Sequence, residues 1–157
     1  MKQFLLCILL LSTSLTGFSQ TYTGTGGPIT DDGQPNYYII NVSGLSPAII
    51  NGSHGLLAVC LDITHSYDSD MDVKLIAPDG TTVMLFSGIG GGDDNFTGTC
   101  LNDSAATMIS TATAPFTGTF IPMDIMGNVN NGQNGNGNWT LKITDTYGAT
   151  RIKRLSG

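Results

Sequence analysis

The segment from Met71 to Phe86 constrains the fold more than any other. Met71, Val73, Leu75 and Ala77 alternate with Asp72, Lys74 and Ile76, so they fall on one face of a strand, with the period of two of a half-buried sheet. Pro78-Asp79-Gly80 then reads as a turn, because Pro fixes its own φ and Gly accepts a positive one. Thr81 to Phe86 returns as the partner strand. A chain that commits to such a hairpin has to find further strands to cover its apolar face.

Those strands are present. Tyr37 to Val42 and Leu57 to Thr64 read as strands, the latter with Leu57, Val59, Leu61 and Ile63 inward and Ala58, Cys60, Asp62 and Thr64 outward. Phe116 to Phe120 and Trp139 to Thr144 follow, with Trp139, Leu141 and Ile143 inward and Thr140, Lys142 and Thr144 outward. Phe116, Phe120, Trp139 and Leu141 are the expected core anchors. No segment sustains helical periodicity, and the 21 glycines punctuate short runs of β-branched and aromatic residues. The expectation is an all-β, mostly antiparallel, jelly-roll-like β-sandwich. Gly88 to Asp103 is expected as one long polar loop, and the Asn/Gly-rich Gly127 to Asn138 as a loop inside the domain.

The amino terminus sets the compartment. Lys2, the apolar run Phe4 to Leu11 and the polar residues up to Ser19-Gln20 have the order of a signal peptide. Residues 1–20 are read as that signal and 21–157 as one domain. The apolar run is too short to span a bilayer and no second one follows, so no transmembrane segment is expected. Cys7 would leave with the signal. The expected location is secreted or cell surface.

All twelve acidic residues are Asp, and between Thr21 and Gly148 the only basic residues are Lys74 and Lys142. This excludes nucleic acid as a partner, since phosphate recognition needs a basic surface. Asp-rich loops in an exported chain suit Ca2+, a hard cation that takes oxygen ligands. The candidate ligands are Asp93, Asp94 and Asn95, beside the tight turn that Gly90 to Gly92 allow, together with Asp103. The alternative, a solvated Asp/Gly loop without an ion, stays open. Asp68-x-Asp70-x-Asp72 is not an EF-hand, because Val73 stands where that loop needs Gly. Asp70 reads as a turn residue bonding the backbone.

Two cysteines remain, Cys60 and Cys100. An even count in an exported chain favours a disulfide, with Cys100 on a loop reaching over the outer face of the Cys60 strand; two free thiols are the other reading. Closing so long a loop would stabilise by roughly 4 kcal/mol on the chain-entropy model. His54, His65 and the many Ser and Asp form no nucleophile motif: no Gly-x-Ser-x-Gly elbow occurs. His65 reads as a turn residue whose ring bonds backbone or a nearby Asp, with pH sensing as the sharper alternative.

With the strands placed, the chain resembles the P domain (Homo B domain) of subtilisin-like proprotein convertases from about Gly26 to Tyr147. Gly27-Pro28-Ile29-Thr30-Asp31 resembles its entry. Leu61-Asp62-Ile63-Thr64-His65-Ser66-Tyr67 and Ser69 through Thr81 resemble its His-Thr, Asp-Leu and Leu-x-x-Pro-x-Gly-Thr run. Asp94-Asn95-Phe96-Thr97-Gly98-Thr99, Pro115 to Phe120 and Gly137-Asn138-Trp139-Thr140-Leu141 resemble its later markers. The signal sequence and the placement of Cys60 and Cys100 are similar to copies in secreted bacterial proteins of the Bacteroidetes type, and the resemblance implies a galactose-binding-like sandwich that accompanies a serine protease without catalysing. The implied partner is a secreted protease catalytic domain or another surface-protein module. A stand-alone adhesion or glycan-binding module is the alternative. Gly148 to Gly157 departs from the pattern: the Trp-bearing strand with which the family closes is missing or altered.

Overall fold

The computed structural model describes residues 19–93 and 95–147. Most of the signal-peptide reading, Asp94 and the atypical tail therefore lie outside the described residues.

Seven strands form two sheets. Strands β1 (Pro35–Val42), β3 (Met71–Ile76), β4 (Thr82–Ser87) and β7 (Gly137–Asp145) make the larger one, in the order β1-β7-β3-β4, with every neighbouring pair antiparallel. Strands β2 (Val59–Ile63), β5 (Phe96–Leu101) and β6 (Gly118–Phe120) make the smaller one, in the order β2-β5-β6, where β5 and β6 run parallel. Three short 3-10 turns, η1 (Asp68–Asp70), η2 (Ile109–Thr111) and η3 (Met126–Val129), complete the described elements. The architecture is the all-β sandwich expected from the strand pattern.

The hairpin forms as its residues dictate. Ala77 N–H reaches Thr81 O at 2.8 Å, Gly80 N–H reaches Ala77 O at 2.9 Å, and Gly80 takes φ 90°. Met71, Val73, Leu75 and Ala77 are all buried. On β7, Trp139 and Ile143 are buried and Leu141 is half-buried. The sheets meet through an aromatic stack. Phe86 of β4 lies 4.3 Å, centroid to centroid, from Phe96 of β5, and Phe96 lies 4.6 Å from Phe116. Phe120 closes the stack edge-on at 6.4 Å and is half-buried. Each such pair adds about 1 kcal/mol beyond the area it buries.

Three expectations need correction. The strand expected from Leu57 to Thr64 shortens to β2, leaving Leu57 69% exposed. The strand expected from Phe116 to Phe120 shortens to β6, and Phe116 packs its ring in the core from the segment before it. Gly88 to Asp103 is not one loop, because it contains β5. That strand escaped the alternation rule because it carries a bulge. Leu61 pairs with Thr99 and Ile63 with Phe96, so Asp62 faces both Thr97 and Gly98. Gly98 takes φ 59°, and its N–H donates to Asp62 Oδ1 at 2.6 Å. Cys100 consequently sits in a strand, in register with Cys60, and the two are bonded as a disulfide. Cys60 lies on the outer face, as the alternation of β2 requires.

Candidate functional site

The polar centre of the molecule lies where β2 and β7 end side by side. His65 stands two residues past the end of β2, and its Nε2 lies 2.9 Å from Oδ2 of Asp145, the last residue of β7. Both side chains are nearly buried, at 14% and 7% exposure, so the contact is shielded from solvent. Asp145 Oδ1 also accepts the Tyr147 N–H at 3.0 Å. The other ring nitrogen, Nδ1, sits 2.9 Å from the Tyr67 carbonyl and 3.2 Å from the Tyr67 N–H. A neutral ring that donates from Nε2 to Asp145 accepts the Tyr67 N–H at Nδ1; a doubly protonated ring donates to the Tyr67 carbonyl instead. Either form clamps the turn that carries Tyr67 onto the end of β7. His65 thus bonds both backbone and an Asp, as its place in the sequence indicated.

A second tier supports it. The His65 N–H donates to Asn95 Oδ1 at 3.1 Å, and the Asn95 N–H donates to Asp68 Oδ1 at 3.1 Å. Asn95 adopts φ 77°, a conformation that Asn tolerates better than most side chains. Asp68 is fully buried in η1. Sequence reasoning missed Asp68, Asn95 in this role and Asp145. Their partners are distant in the chain, 27 residues away for Asp68–Asn95 and 80 for His65–Asp145, and no local pattern marks them. Asp70, read from the sequence as a turn residue bonding the backbone, ends η1, and its N–H reaches the Tyr67 carbonyl at 3.0 Å. Its carboxylate meets Ser69 Oγ at 3.4 Å, while its carbonyl accepts both the N–H (2.6 Å) and the hydroxyl (2.8 Å) of Thr146.

A recess of about 240 Å³ opens at this centre, with Asp31, Ser66, Tyr67, Asp70 and Tyr147 around His65 and Asp145. The Ser66, His65 and Asp145 side chains do not make a nucleophile–base–acid relay. Such a relay needs one ring nitrogen on the nucleophile, and here both are committed, to Asp145 and to the Tyr67 backbone. The arrangement fixes a turn.

Of the residues expected to bind calcium, Asp94 lies outside the described residues, and Asp93, Asn95 and Asp103 make other contacts. Asp103 accepts the Met126 N–H at Oδ1 (2.9 Å) and the Gly127 N–H at Oδ2 (2.7 Å), which ties η3 to the end of β5. The Asn95 side-chain oxygen serves His65. The Asp93 carbonyl accepts the Asp68 N–H at 3.3 Å. Among the described residues no three His, Cys, Asp or Glu side chains converge as a metal site. No helix among them is long and apolar enough to cross a membrane.

The fold and this centre define an all-β module whose buried polar groups are spent on holding turns. The family model described as the proprotein convertase P-domain matches residues 56–156, and the chain belongs to that family. No curated protein matches it. Among solved structures it is similar to the serine protease of Aeromonas sobria, with 20% identity over 72% of this chain and 20% of that one and a TM-score of 0.28. It is similar also to that serine protease in complex with a chaperone, with 20% identity over 77% of this chain and 21% of that one and the same TM-score of 0.28. The chain spans about a fifth of the length of these structures.

Proposed function

We propose that this chain is an exported, non-catalytic P domain that stabilises a secreted subtilisin-like protease catalytic domain, or another surface-protein module, by docking on it. The observation that carries the reading is the family match across residues 56–156, which takes in the hairpin, the aromatic stack and the His65–Asp145 clamp. The occupied ring of His65 favours a structural duty over catalysis. A partner that binds only folded protease raises its stability by mass action. The test is the thermal inactivation half-life of a subtilisin-like catalytic domain secreted by the source cell, produced with and without this chain. A longer half-life, with no peptidase activity from this chain by itself, is expected. An unchanged half-life, or turnover by this chain alone that a serine-directed inhibitor blocks, overturns the reading.

Calcium is a separate part of the proposal. Asp93 and Asp94 with backbone carbonyls of the same loop are the ligands to test, since Asp103 and the Asn95 side chain already hold backbone N–H groups. Adding calcium in place of chelator is expected to raise the melting temperature, and no shift would remove the ion from the account.

A further inference from the structure

A second recess among the described residues is mainly apolar. Met108, Ile121, Pro122, Met123 and Ile125 wall a groove of about 350 Å³ beyond the end of β6. Met108 and Ile125 stand 46% and 66% exposed at its lip. The walls are hydrogen-bonded to their neighbours on both sides. The Ile121 N–H reaches Thr107 O at 2.8 Å and the Ile109 N–H reaches Ile121 O at 2.9 Å, pinning one side. On the other side the Met123 and Asp124 N–H groups reach Leu85 and Met84 carbonyls at 3.0 and 2.9 Å, and Asp124 Oδ2 takes the Met84 N–H at 2.8 Å. A groove so fixed is already shaped for a ligand and loses little freedom on binding.

Its charge is of one sign. The only ionisable side chains lining it are Asp103 and Asp124, and no Lys or Arg does. Their hydrogen bonds go to neutral backbone N–H groups, so their negative charge is left for a ligand to meet. An apolar floor under carboxylates selects apolar side chains accompanied by cations and rejects acidic ones.

We propose that this groove binds an extended segment of a partner polypeptide in which apolar side chains alternate with Lys or Arg. The inference rests on the docking role given under Proposed function, and supplies the surface and the chemistry it selects. Fluorescence anisotropy with two labelled peptides tests it, one alternating Leu and Lys, the other alternating Leu and Asp. The Leu/Lys peptide is expected to bind at least tenfold more tightly, with affinity falling as salt rises. Ile125→Ser, at an exposed position, is expected to weaken it about tenfold while leaving the melting temperature in place. Equal binding of the two peptides, no binding of either, or indifference to Ile125→Ser overturns the proposal. So does a dimer in sedimentation that Ile125→Ser dissolves, which would make a second copy the occupant. If the protease half-life is lengthened as well by Ile125→Ser as by the unaltered chain, the groove falls and the accessory role stands. If the Leu/Lys peptide binds as stated while no protease is stabilised, the groove stands and the accessory role falls.

Discussion

The loops 88–95 and 130–136 are alike in composition, both rich in Gly and in Asp or Asn, yet they differ in what holds them. In the second loop the amide side chains act as strand mimics. Asn130 accepts the Leu56 N–H at 2.8 Å and donates to the Leu56 carbonyl at 3.2 Å; Asn136 does the same for Leu45, at 2.8 and 3.3 Å. Trp139 Nε1 donates to the Gly135 carbonyl at 2.9 Å, and backbone bonds join Gly132 and Gln133 to Ile50. In the first loop the Asp68 and Ser69 N–H groups reach the Asp93 and Gly91 carbonyls, and close approach at a glycine adds to these bonds, as it does at Gly135 of the second loop, where a Cβ would come within 2.6 Å of Leu45 Cδ2 and 2.8 Å of Ile50 Cγ2. Gly90, at φ 90°, lies so close to the core that a Cβ there would come within 2.7 Å of Asp68 Cβ and 2.9 Å of the Phe116 ring. Similar composition thus yields close approach at a glycine in both loops, Gly90 and Gly135, with paired amide bonds added in the second.

The largest expected effect lies just beyond the glycine loop. The Cys60–Cys100 disulfide closes a separation of 40 residues and pins β5, the strand into which loop 88–95 runs. On the chain-entropy model the Cys60→Ser, Cys100→Ser pair should lose about 4 kcal/mol, read as a fall in the urea midpoint. A loss below about 1 kcal/mol would mean that the register of β2 and β5 already restrains the unfolded ensemble. Next comes Gly90→Ala. It combines a positive φ with overpacking against Phe116, and about 3 kcal/mol is expected from the two together. Gly91→Ala shares the positive φ but meets nothing within 4 Å, so it should cost only the backbone part. Equal losses at the two positions would refute the role given to close approach.

Asn130→Ala tests the other loop. Removing its amide strands a half-buried N–H and C=O at Leu56, a loss of about 2 kcal/mol. Asn130→Asp separates donor from acceptor, because it keeps the acceptor for the Leu56 N–H and loses the donor to its carbonyl. A smaller loss than that of the Ala variant is expected, measured by thermal unfolding under the same conditions.

These contrasts explain which parts of the molecule were legible. The Met71–Phe86 hairpin, β7 and the buried Phe116 and Trp139 follow from alternation and turn chemistry, which are local. Strand β5 was hidden because Gly98 inserts a bulge and shifts the phase of Phe96 relative to Thr99 and Leu101. The His65–Asp145 clamp was only half visible, since His65 marks a turn while its partner lies 80 residues away. The duties of Asp103 and Asn95 were unreadable for the same reason: composition offered carboxylate and amide oxygens, and tertiary contacts assigned them to backbone N–H groups.

The smallest effect concerns the bond between loop 130–136 and the hairpin turn. Asn131 Nδ2 donates to Asp79 Oδ2 at 2.8 Å, while the Thr81 N–H and hydroxyl reach the same carboxylate at 2.8 and 3.0 Å. The Asn131 amide, and after it the Thr81 N–H, hold the Asp79 carboxyl below its ordinary value of 3.8. A depressed carboxyl stabilises the fold above the unfolded value, and that contribution is lost as pH falls through the lower, folded value. Stability should therefore drop on acidification below pH 3.8 in the unaltered protein. Asp79→Asn lacks this titration. The difference in melting temperature between the two proteins should be constant near neutrality and shrink below pH 3.8. Asp32, whose carboxyl is lowered by the Gln34 N–H and the Thr30 hydroxyl, titrates with the same sign in both proteins and cancels in that difference. A difference that stays flat down to the lowest pH would mean that Asn131 and Thr81 hold the turn without help from the charge on Asp79.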